Sequence, residues 1–271
     1  MLLTFARNSL IRDMTFRSNF IIEVLSSMAW MVMNLGFYLL IFQYAGNIGG
    51  WEKHQFFAFI ATTMLINSMV QAMFMPNMQE LSELVRTGGL DFALLKPIDT
   101  QFLISLRKIS WSSLGNFTVA ILLLVYAAPR IEGPGASPLG MALYPLYIAA
   151  GVLILYSVMI SLAATSIWMG RNQTLYDFWF YITNFSRYPM EIYNGTPGNP
   201  GTALGRTLGF TFTYIIPILV VINVPARIMA KPLTAEGAGL ILFAALATAG
   251  TLWGSRWVFK RALESYRSAS S

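Results

Sequence analysis

The side chains that could perform chemistry are few in this sequence and lie far apart. His54 is the only histidine, cysteine is absent, and the acidic residues Glu23, Asp177 and Glu191 are dispersed near the ends of apolar segments. Enzymatic chemistry inside a bilayer needs a nucleophile, acid or base held within hydrogen-bonding reach of its partners. Metal sites need several Cys, His or carboxylate ligands close together. The sequence therefore predicts neither a catalytic centre nor a metal site.

Three carboxamides lie instead inside long apolar runs. Asn34 belongs to one run, and Asn67 and Gln71 lie one helical turn apart in the next. A carboxamide at membrane depth either hydrogen-bonds a neighbouring helix, which is the more common outcome, or lines a polar pathway. Both interpretations are open at this point, and both require helices that cross a membrane.

The composition predicts such helices. Of the 271 residues, 56% are hydrophobic and only 11% are charged, and the mean hydropathy is +0.58. A bilayer-spanning helix needs about 20 mostly apolar residues. We therefore predict an all-α membrane protein with an amphipathic interface helix over residues 1–18 and a six-span membrane domain over residues 19–271. The predicted spans are about 19–45, 56–79, 103–128, 141–168, 172–187 and 235–258.

The basic residues predict the orientation of the chain. With six crossings and a cytosolic N-terminus, twelve of the 18 Lys and Arg residues fall on the cytosolic side, which is a normal positive-inside bias. Both termini are then cytosolic. The twelve residues are Arg7, Arg12, Arg17, Arg86, Lys96, Arg107, Lys108, Arg171, Arg256, Lys260, Arg261 and Arg267.

The region from 172 to 230 allows two arrangements. In one, a fifth span near 172–187 precedes a re-entrant pair of short helices at about 188–230 on the outer side, which the prolines and glycines there favour. In the other, residues 207–226 form the full fifth span and Arg187 and Arg206 face the cytosol, which fits the charge rule slightly better. We adopt the first arrangement.

The stretch ELVRTGGLDFALLKPID, residues 83–99, is a polar insert between two apolar runs. The double glycine Gly88-Gly89 predicts the end of one helix, and Pro97 ends the short amphipathic turn that follows. Arg86 and Lys96 flank that turn. A short surface helix with polar flanks and an apolar face formed by Leu90, Leu94 and Leu95 suits docking onto another protein, although periodicity alone favours an ordinary connecting loop.

This stretch resembles the segment between the second and third spans of exporter permeases in the ABC type-2 superfamily, the membrane subunits of ATP-binding-cassette exporters. One branch carries the pattern Arg-x-Gly-x-Leu-Asp-x-x-Leu-Leu-x-Pro. The residues that match it are Arg86, Gly88, Leu90, Asp91, Leu94, Leu95 and Pro97. A second match lies before the last span, where a Phe-x-x-Tyr-Pro motif precedes a proline-containing apolar run. The residues that match there are Phe185, Tyr188, Pro189, Pro217, Asn223 and Pro225.

The resemblance covers essentially the whole chain and implies a transport subunit rather than an enzyme. Two permease chains, identical or homologous, would form the pathway in a bacterial cytoplasmic membrane. Separate cytosolic ATPase subunits would bind ATP and Mg²⁺, with no cofactor on this chain. Residues 83–97, which include Glu83 and Gly89, would form the coupling helix, and residues 1–18 a second contact. The sequence agrees, because it contains no Gly-x-x-x-x-Gly-Lys-Ser/Thr phosphate-binding motif.

The implied function is export of an amphipathic substrate, such as a lipid, drug or glycoconjugate, with membrane lipids and no nucleic acid as further partners. ATPase closure would move the coupling helix and, through the second and third spans, change the pathway. The expected pathway or gate residues are Asn34, Asn67, Gln71, Tyr188, Pro189, Pro217, Asn223 and Pro225. The alternative is an ATP-independent secondary transporter with broken helices. It predicts inverted repeats, and the two halves of the sequence show no convincing similarity.

Overall fold

The structure is a computed structural model that describes residues 2–15, 17–131, 137–169, 173–196, 199–232 and 235–267. The side chains of Glu23 and Asp177 lie outside the described part. The helices are α1 (Leu2–Thr15), α2 (Arg17–Tyr44), α3 (Lys53–Met73), α4 (Met75–Arg86), α5 (Gly89–Leu94), α6 (Thr100–Leu106), α7 (Leu114–Ala127), α8 (Pro138–Met169), α9 (Gln173–Asn184), α10 (Glu191–Asn194), α11 (Ala203–Phe210), α12 (Ile218–Ala230) and α13 (Ala235–Glu264).

Short elements connect these helices. Single 3-10 turns occupy Ala128–Arg130 and Phe185–Arg187, and a π-helix at Thr211–Ile215 extends α11. Two-residue strands β1 (Gly195–Thr196) and β2 (Asn199–Pro200) pair antiparallel.

Four helical stretches are long and apolar enough to cross a membrane. They are Phe20–Tyr44, Lys53–Arg86, Pro138–Met169 and Gly237–Glu264. A fifth candidate is the bent pair formed by Ala203–Ile215 and α12, whose axes meet at 87°. The multi-pass helical architecture is confirmed, with four or five candidate spans in the described residues, while the six predicted crossings stay a prediction.

The core lies where α3 and α8 pack side by side. These helices run parallel, because the hydroxyls of Thr62 and Tyr144 bond at 2.9 Å near one end and the rings of Phe74 and Tyr156 lie 4.6 Å apart further along. In the six-span prediction α3 and α8 belong to the second and fourth spans, which must run in the same direction. The packing of α3 on α8 agrees with that requirement.

The third element of the core, α12, is buried along nearly its whole length and runs antiparallel to α8. Pro225 lacks a backbone N–H, so the carbonyl of Val221 loses its helical partner. That carbonyl faces Gly151 of α8, where an added Cβ would lie only 2.7 Å from the oxygen. Small residues let helix backbones approach this closely in membranes, so Gly151 and Pro225 together define the contact.

The predicted third span is not one continuous helix. The chain leaves helical geometry between α6 and α7, over residues 107–113. Backbone donors in this break bond to distant side chains: Lys108 N–H donates to Asn77 Oδ1 at 2.8 Å, and Ile109 N–H donates to Ser9 Oγ at 3.1 Å. These partners replace the helical carbonyls. Apolar composition hides such a break because the partners lie far away in sequence.

The predicted fifth span is also shorter than expected. α9 has 12 residues, or about 18 Å of helix, against a hydrocarbon core of about 30 Å. The alternative span at 207–226 is interrupted as well, since α12 begins only after Pro217, at the 87° bend.

Both arms of the bent pair contact α10. α10 packs on α11, which begins the pair, and Glu191 of α10 forms ion pairs with Arg227 and Lys231 at the far end of α12. Both ends of the bent helix pair therefore lie next to α10.

We expect Gly151→Ala to destabilise the protein by about 1–3 kcal/mol, the usual cost of overpacking a filled core. The added methyl group would collide with the Val221 carbonyl, and α8 and α12 would have to move apart. Thermal unfolding in detergent measures the effect. Gly250→Ala in α13 is the matched control, because a Cβ there meets nothing within 4 Å. Equal melting temperatures for the two variants would refute the close contact.

Candidate functional site

One end of the molecule, which we call the basic end, gathers α1, residues 80–113 and the last turns of α13. Arg107 and Lys108 pair with Glu80 at 2.6 and 2.7 Å. α1 is held by Trp111, whose indole N–H donates to the Ala6 carbonyl at 3.0 Å. These segments carry most of the basic residues that the sequence assigns to the cytosolic side.

The turn between α4 and α5 depends on Gly88. Its φ of 71° lies in the left-handed region, which glycine adopts without strain. At the end of α4 the Thr87 N–H donates to the Glu83 carbonyl at 2.9 Å. The Glu83 side chain pairs with Arg86 at 2.5 Å. At Gly89 an added Cβ would lie 2.9 Å from the Leu84 side chain. The double glycine therefore sets the direction in which α5 leaves α4.

α5 has one buried face and one exposed face. Leu90 is fully buried against the protein's own core, so it is not free to contact a partner. Phe92 and Leu95 are 74% and 81% exposed, and Leu94 is 41% exposed. We call Phe92, Leu94 and Leu95 the apolar knob. The sequence analysis did not predict Phe92 as part of this exposed face. Its position two residues after Leu90 places the two side chains on opposite sides of a helix, which was the available signal.

The chain after Pro97 is tied to α13 by an ion pair. Asp99 caps α6 by accepting the Phe102 N–H at 2.9 Å, and its carboxylate also pairs with Arg256 through two hydrogen bonds. Hydrogen bonding from Arg256 is the largest cause that lowers the pKa of Asp99, so the ion pair persists at neutral pH.

A hydrogen-bond network extends this ion pair to α8. Arg256 also donates to Gln101 Oε1 at 3.0 Å, and Gln101 Nε2 donates to the Tyr156 hydroxyl at 3.0 Å. Ser105 bonds the same hydroxyl at 2.9 Å. Near the α13 terminus, burial and then the neighbouring Asp91 raise the pKa of Tyr266. The knob-bearing segment is therefore linked to α8 and α13, a connection that no local sequence pattern could reveal.

The structure brings the three intramembrane carboxamides together in a cavity of about 410 Å³ between α2, α3 and α7. We call it the α2–α3 groove. α2 packs loosely on the rest of the chain, with none of its most apolar window buried. The residues that line the groove are Ser26, Ser27, Trp30, Asn34, Leu35, Tyr38, Ile60, Thr63, Met64, Asn67, Ser68, Gln71, Asn116 and Arg187.

Most of the carboxamides in the groove are unpaired. The amide of Asn34 donates to the Trp30 carbonyl at 2.8 Å. Within the described part of the chain, the side chains of Asn67, Gln71 and Asn116 have no hydrogen-bond partner. The interpretation that these carboxamides bridge helices of this chain is therefore not supported, and the groove presents them to its interior.

The residues of the second sequence motif surround Asn223, which is fully buried. Its Oδ1 accepts the Met190 N–H at 2.8 Å, and its Nδ2 donates to the Leu219 carbonyl at 2.9 Å and to the Tyr188 carbonyl at 3.4 Å. Asn223 thus fastens the segment around Pro189 to α12. The amide hydrogens of Asn223 are thus bonded to backbone carbonyls, and its role as a pathway or gate residue stays a prediction.

A charged cluster that sequence reasoning did not assemble lies beside this segment. Glu191 pairs with Arg227 at 2.6 Å and with Lys231 at 3.2 Å, and it accepts the indole N–H of Trp51 at 3.0 Å. Lys231 also lies over the Trp51 ring at 4.2 Å. Burial alone would raise the pKa of Glu191, but the two cations outweigh it and lower the pKa. The only local signal was the i, i+4 spacing of Arg227 and Lys231.

Long apolar helices, a polar groove and a basic end together define a multi-pass membrane protein. The chain belongs to the ABC-2 family of transporter proteins, whose family model matches residues 28–270. It is therefore the membrane permease subunit of an ABC transporter, a transport subunit that associates with an ABC ATPase. The match confirms the resemblance seen in the sequence motifs. No curated protein and no solved structure matches the chain.

We expect Glu191→Gln to lower the free energy of unfolding by about 2–4 kcal/mol at neutral pH, because Arg227 and Lys231 lose their counter-ion. A folded pKa below the ordinary value of 4.5 means that Glu191 stabilises the protein above that pH and loses this effect as the pH falls through the folded value. The difference between wild type and variant should therefore shrink in acid, as measured by thermal unfolding across pH.

Glu264→Gln is the control for that experiment. It breaks an exposed ion pair with Arg261, and such pairs contribute about 1 kcal/mol or less. A Glu191→Gln variant as stable as this control at neutral pH would show that the ion pairs of Glu191 do not stabilise the fold.

Proposed function

We propose that this permease exports an amphipathic substrate from the cytosol or inner leaflet of a bacterial cytoplasmic membrane. It works as one of a pair of permeases, identical or homologous, with separate ATPases that bind ATP and Mg²⁺. The basic end faces the cytosol, in agreement with the positive-inside rule. The observation that carries the proposal is the apolar knob, which is exposed at that end of a chain from a family that works with ATPases.

The segment from Glu83 to Pro97 is the coupling helix in this proposal, and the apolar knob enters a cleft of the ATPase. Arg86 and Lys96 flank the knob, which makes lipid burial of the whole segment costly. Burial of a large apolar side chain contributes about 1.5–3 kcal/mol, so Phe92 and Leu95 can supply a substantial part of the affinity. α1 forms a second contact beside it.

Motion of the coupling helix passes to α8 and α13 through Asp99, Arg256, Gln101 and Tyr156. The family resemblance implied that this motion passes only through the second and third spans. The hydrogen bonds described above favour a wider route, since Arg256 lies on α13 and Tyr156 on α8.

The outer gate is the bent pair of α11 and α12, which enters from the outer surface and returns to it. Contacts of both arms with α10 support this re-entrant arrangement. Pro217 marks the bend, Pro225 shapes the contact with α8, and Asn223 fixes Tyr188 and Pro189 to α12. The transport pathway includes Asn34, Asn67 and Gln71 of the α2–α3 groove.

We expect Leu95→Asp to reduce co-purification with the co-expressed ABC ATPase by about tenfold or more, because a charge would replace a leucine that the proposed complex buries in the ATPase cleft. The permease itself should keep its melting temperature, since Leu95 is already exposed. Leu204→Asp in α11 is the matched control, since Leu204 is also strongly exposed, at 71%, and lies outside the basic end. Pull-down and permease-stimulated ATP hydrolysis provide the measurement. Undiminished assembly of Leu95→Asp would rule out the coupling assignment.

We expect Asp99→Asn to leave assembly intact and to weaken the response of the outer end to ATP. The pair is partly exposed, so its loss costs about 1 kcal/mol or less of stability. Because the chain has no cysteine, a single Leu204→Cys reports on the outer helices through its rate of thiol labelling with and without ATP and vanadate.

The charge reversal Asp99→Arg with Arg256→Asp should restore the ATP-dependent labelling change that either reversal alone abolishes. Arg261→Glu with Glu264→Arg, an exposed pair on the same helix, is the control and should change nothing. An unchanged response in Asp99→Asn would mean that the motion takes another route.

A further inference from the structure

The α2–α3 groove has a chemical character that defines what it can bind. Within the described part of the chain, its lining contains hydroxyls, carboxamides and one cation, Arg187, but no carboxylate. From Ser26 to Tyr38 along α2 the groove is about 18 Å long. Its volume of about 410 Å³ lies in the range of small-molecule sites.

Unpaired carboxamides inside a bilayer need a polar partner. Burying a polar group without a hydrogen bond is costly, and Asn67, Gln71 and Asn116 form none with the described residues. Each carboxamide offers two donors and an acceptor. Hydroxyl groups, which both donate and accept, satisfy such a lining better than an alkyl chain or a purely anionic group.

Arg187 adds a charge preference at one end of the groove. It forms no ion pair with a described residue, and it lies beside Tyr38, at the other end of the lining from Ser26. A guanidinium binds phosphate or carboxylate oxygens through two parallel hydrogen bonds. Trp30 and Tyr38 supply apolar ring faces with polar edges, which suit the ring or chain that carries hydroxyl groups.

We propose that the groove binds the head of an anionic, hydroxyl-rich amphipath, with its hydroxyls on Asn67, Gln71 and Asn116 and its acidic group on Arg187. The proposal rests on the transport function above and names its substrate class. The loose packing of α2 leaves the groove open beside α3, so the apolar tail can stay in the lipid while the head enters.

Native mass spectrometry of the permease–ATPase complex in lipid nanodiscs tests this selectivity. The probes share two acyl chains and differ in the head: phosphatidylinositol is anionic with many hydroxyls, phosphatidic acid is anionic without them, and a diglucosyl diacylglycerol has hydroxyls without charge. Phosphatidylcholine is the reference. We expect phosphatidylinositol to bind about fivefold or more tightly than either single-feature lipid, as one or two net hydrogen bonds would provide. Strong binding of the neutral glycolipid alone would overturn the role of Arg187.

Two groove variants separate the contribution of the carboxamides to lipid binding from that of Arg187. Asn67→Leu with Gln71→Leu should remove the preference for hydroxyls while keeping that for charge, and Arg187→Gln should do the reverse. Gln43→Leu and Arg130→Gln are matched controls, because neither residue lines the groove. Unchanged lipid selectivity in the groove variants would refute the proposal. A changed oligomeric state with unchanged lipid binding would also refute it, and would assign the carboxamides to an interface between permeases.

The same preparations distinguish failure of this inference from failure of the transport function. ATPase assembly depends on the apolar knob and should be identical in wild type and both groove variants. If assembly is normal but the four lipids bind alike, the substrate class is wrong while the permease assignment stands.

Discussion

The close contact between α8 and α12 is the constraint on which the half of the molecule opposite the basic end depends. Pro225 frees the Val221 carbonyl, and the absence of a side chain at Gly151 lets that carbonyl approach the backbone of α8. α12 can then be buried along its length. Asn223 and Arg227 project from this fixed helix and hold the preceding segment through Met190 and Glu191. This end of the molecule is thus assembled on one helix whose position is set by packing.

A second constraint is that a buried backbone donor or acceptor at a helix break must find a partner outside its own helix. The break between α6 and α7 is satisfied by Asn77 and Ser9, and the segment before α10 by Asn223. In each case a polar side chain from another helix replaces the missing intrahelical bond. These side chains therefore join separate helices, so a displacement of one helix acts directly on the other.

The sequence was sufficient for features that have local causes. Apolar length predicted the multi-pass helical class, and Gly88 predicted where α4 stops, because a left-handed turn is a property of one residue. Motif resemblance predicted the family. The interruption after Leu106 and the pairing of Glu191 with Arg227 were missed, because their partners lie 31 to 100 residues away in sequence. Such contacts are created by tertiary packing and leave no periodic signal.

The placement of α13 explains how the two ends of the permease can communicate in the proposed mechanism. Its 30 residues form a rod about 45 Å long. Near the basic end Arg256 holds the turn after α5, and near the other end Phe243 packs against Tyr214 of the bent pair, with ring centroids 5.0 Å apart. α13 packs along α8, whose Tyr147 hydroxyl donates to the Ile241 carbonyl at 2.9 Å. In the most apolar window of the α3–α4 span 67% of the residues are buried in the protein, against 11% in that of α13. In the proposed mechanism α13 therefore moves together with α8, its main packing partner, and the two helices carry motion from the ATPase to the outer gate. The α2–α3 groove lies against the buried helix, which keeps one wall of the binding site fixed while the gate moves.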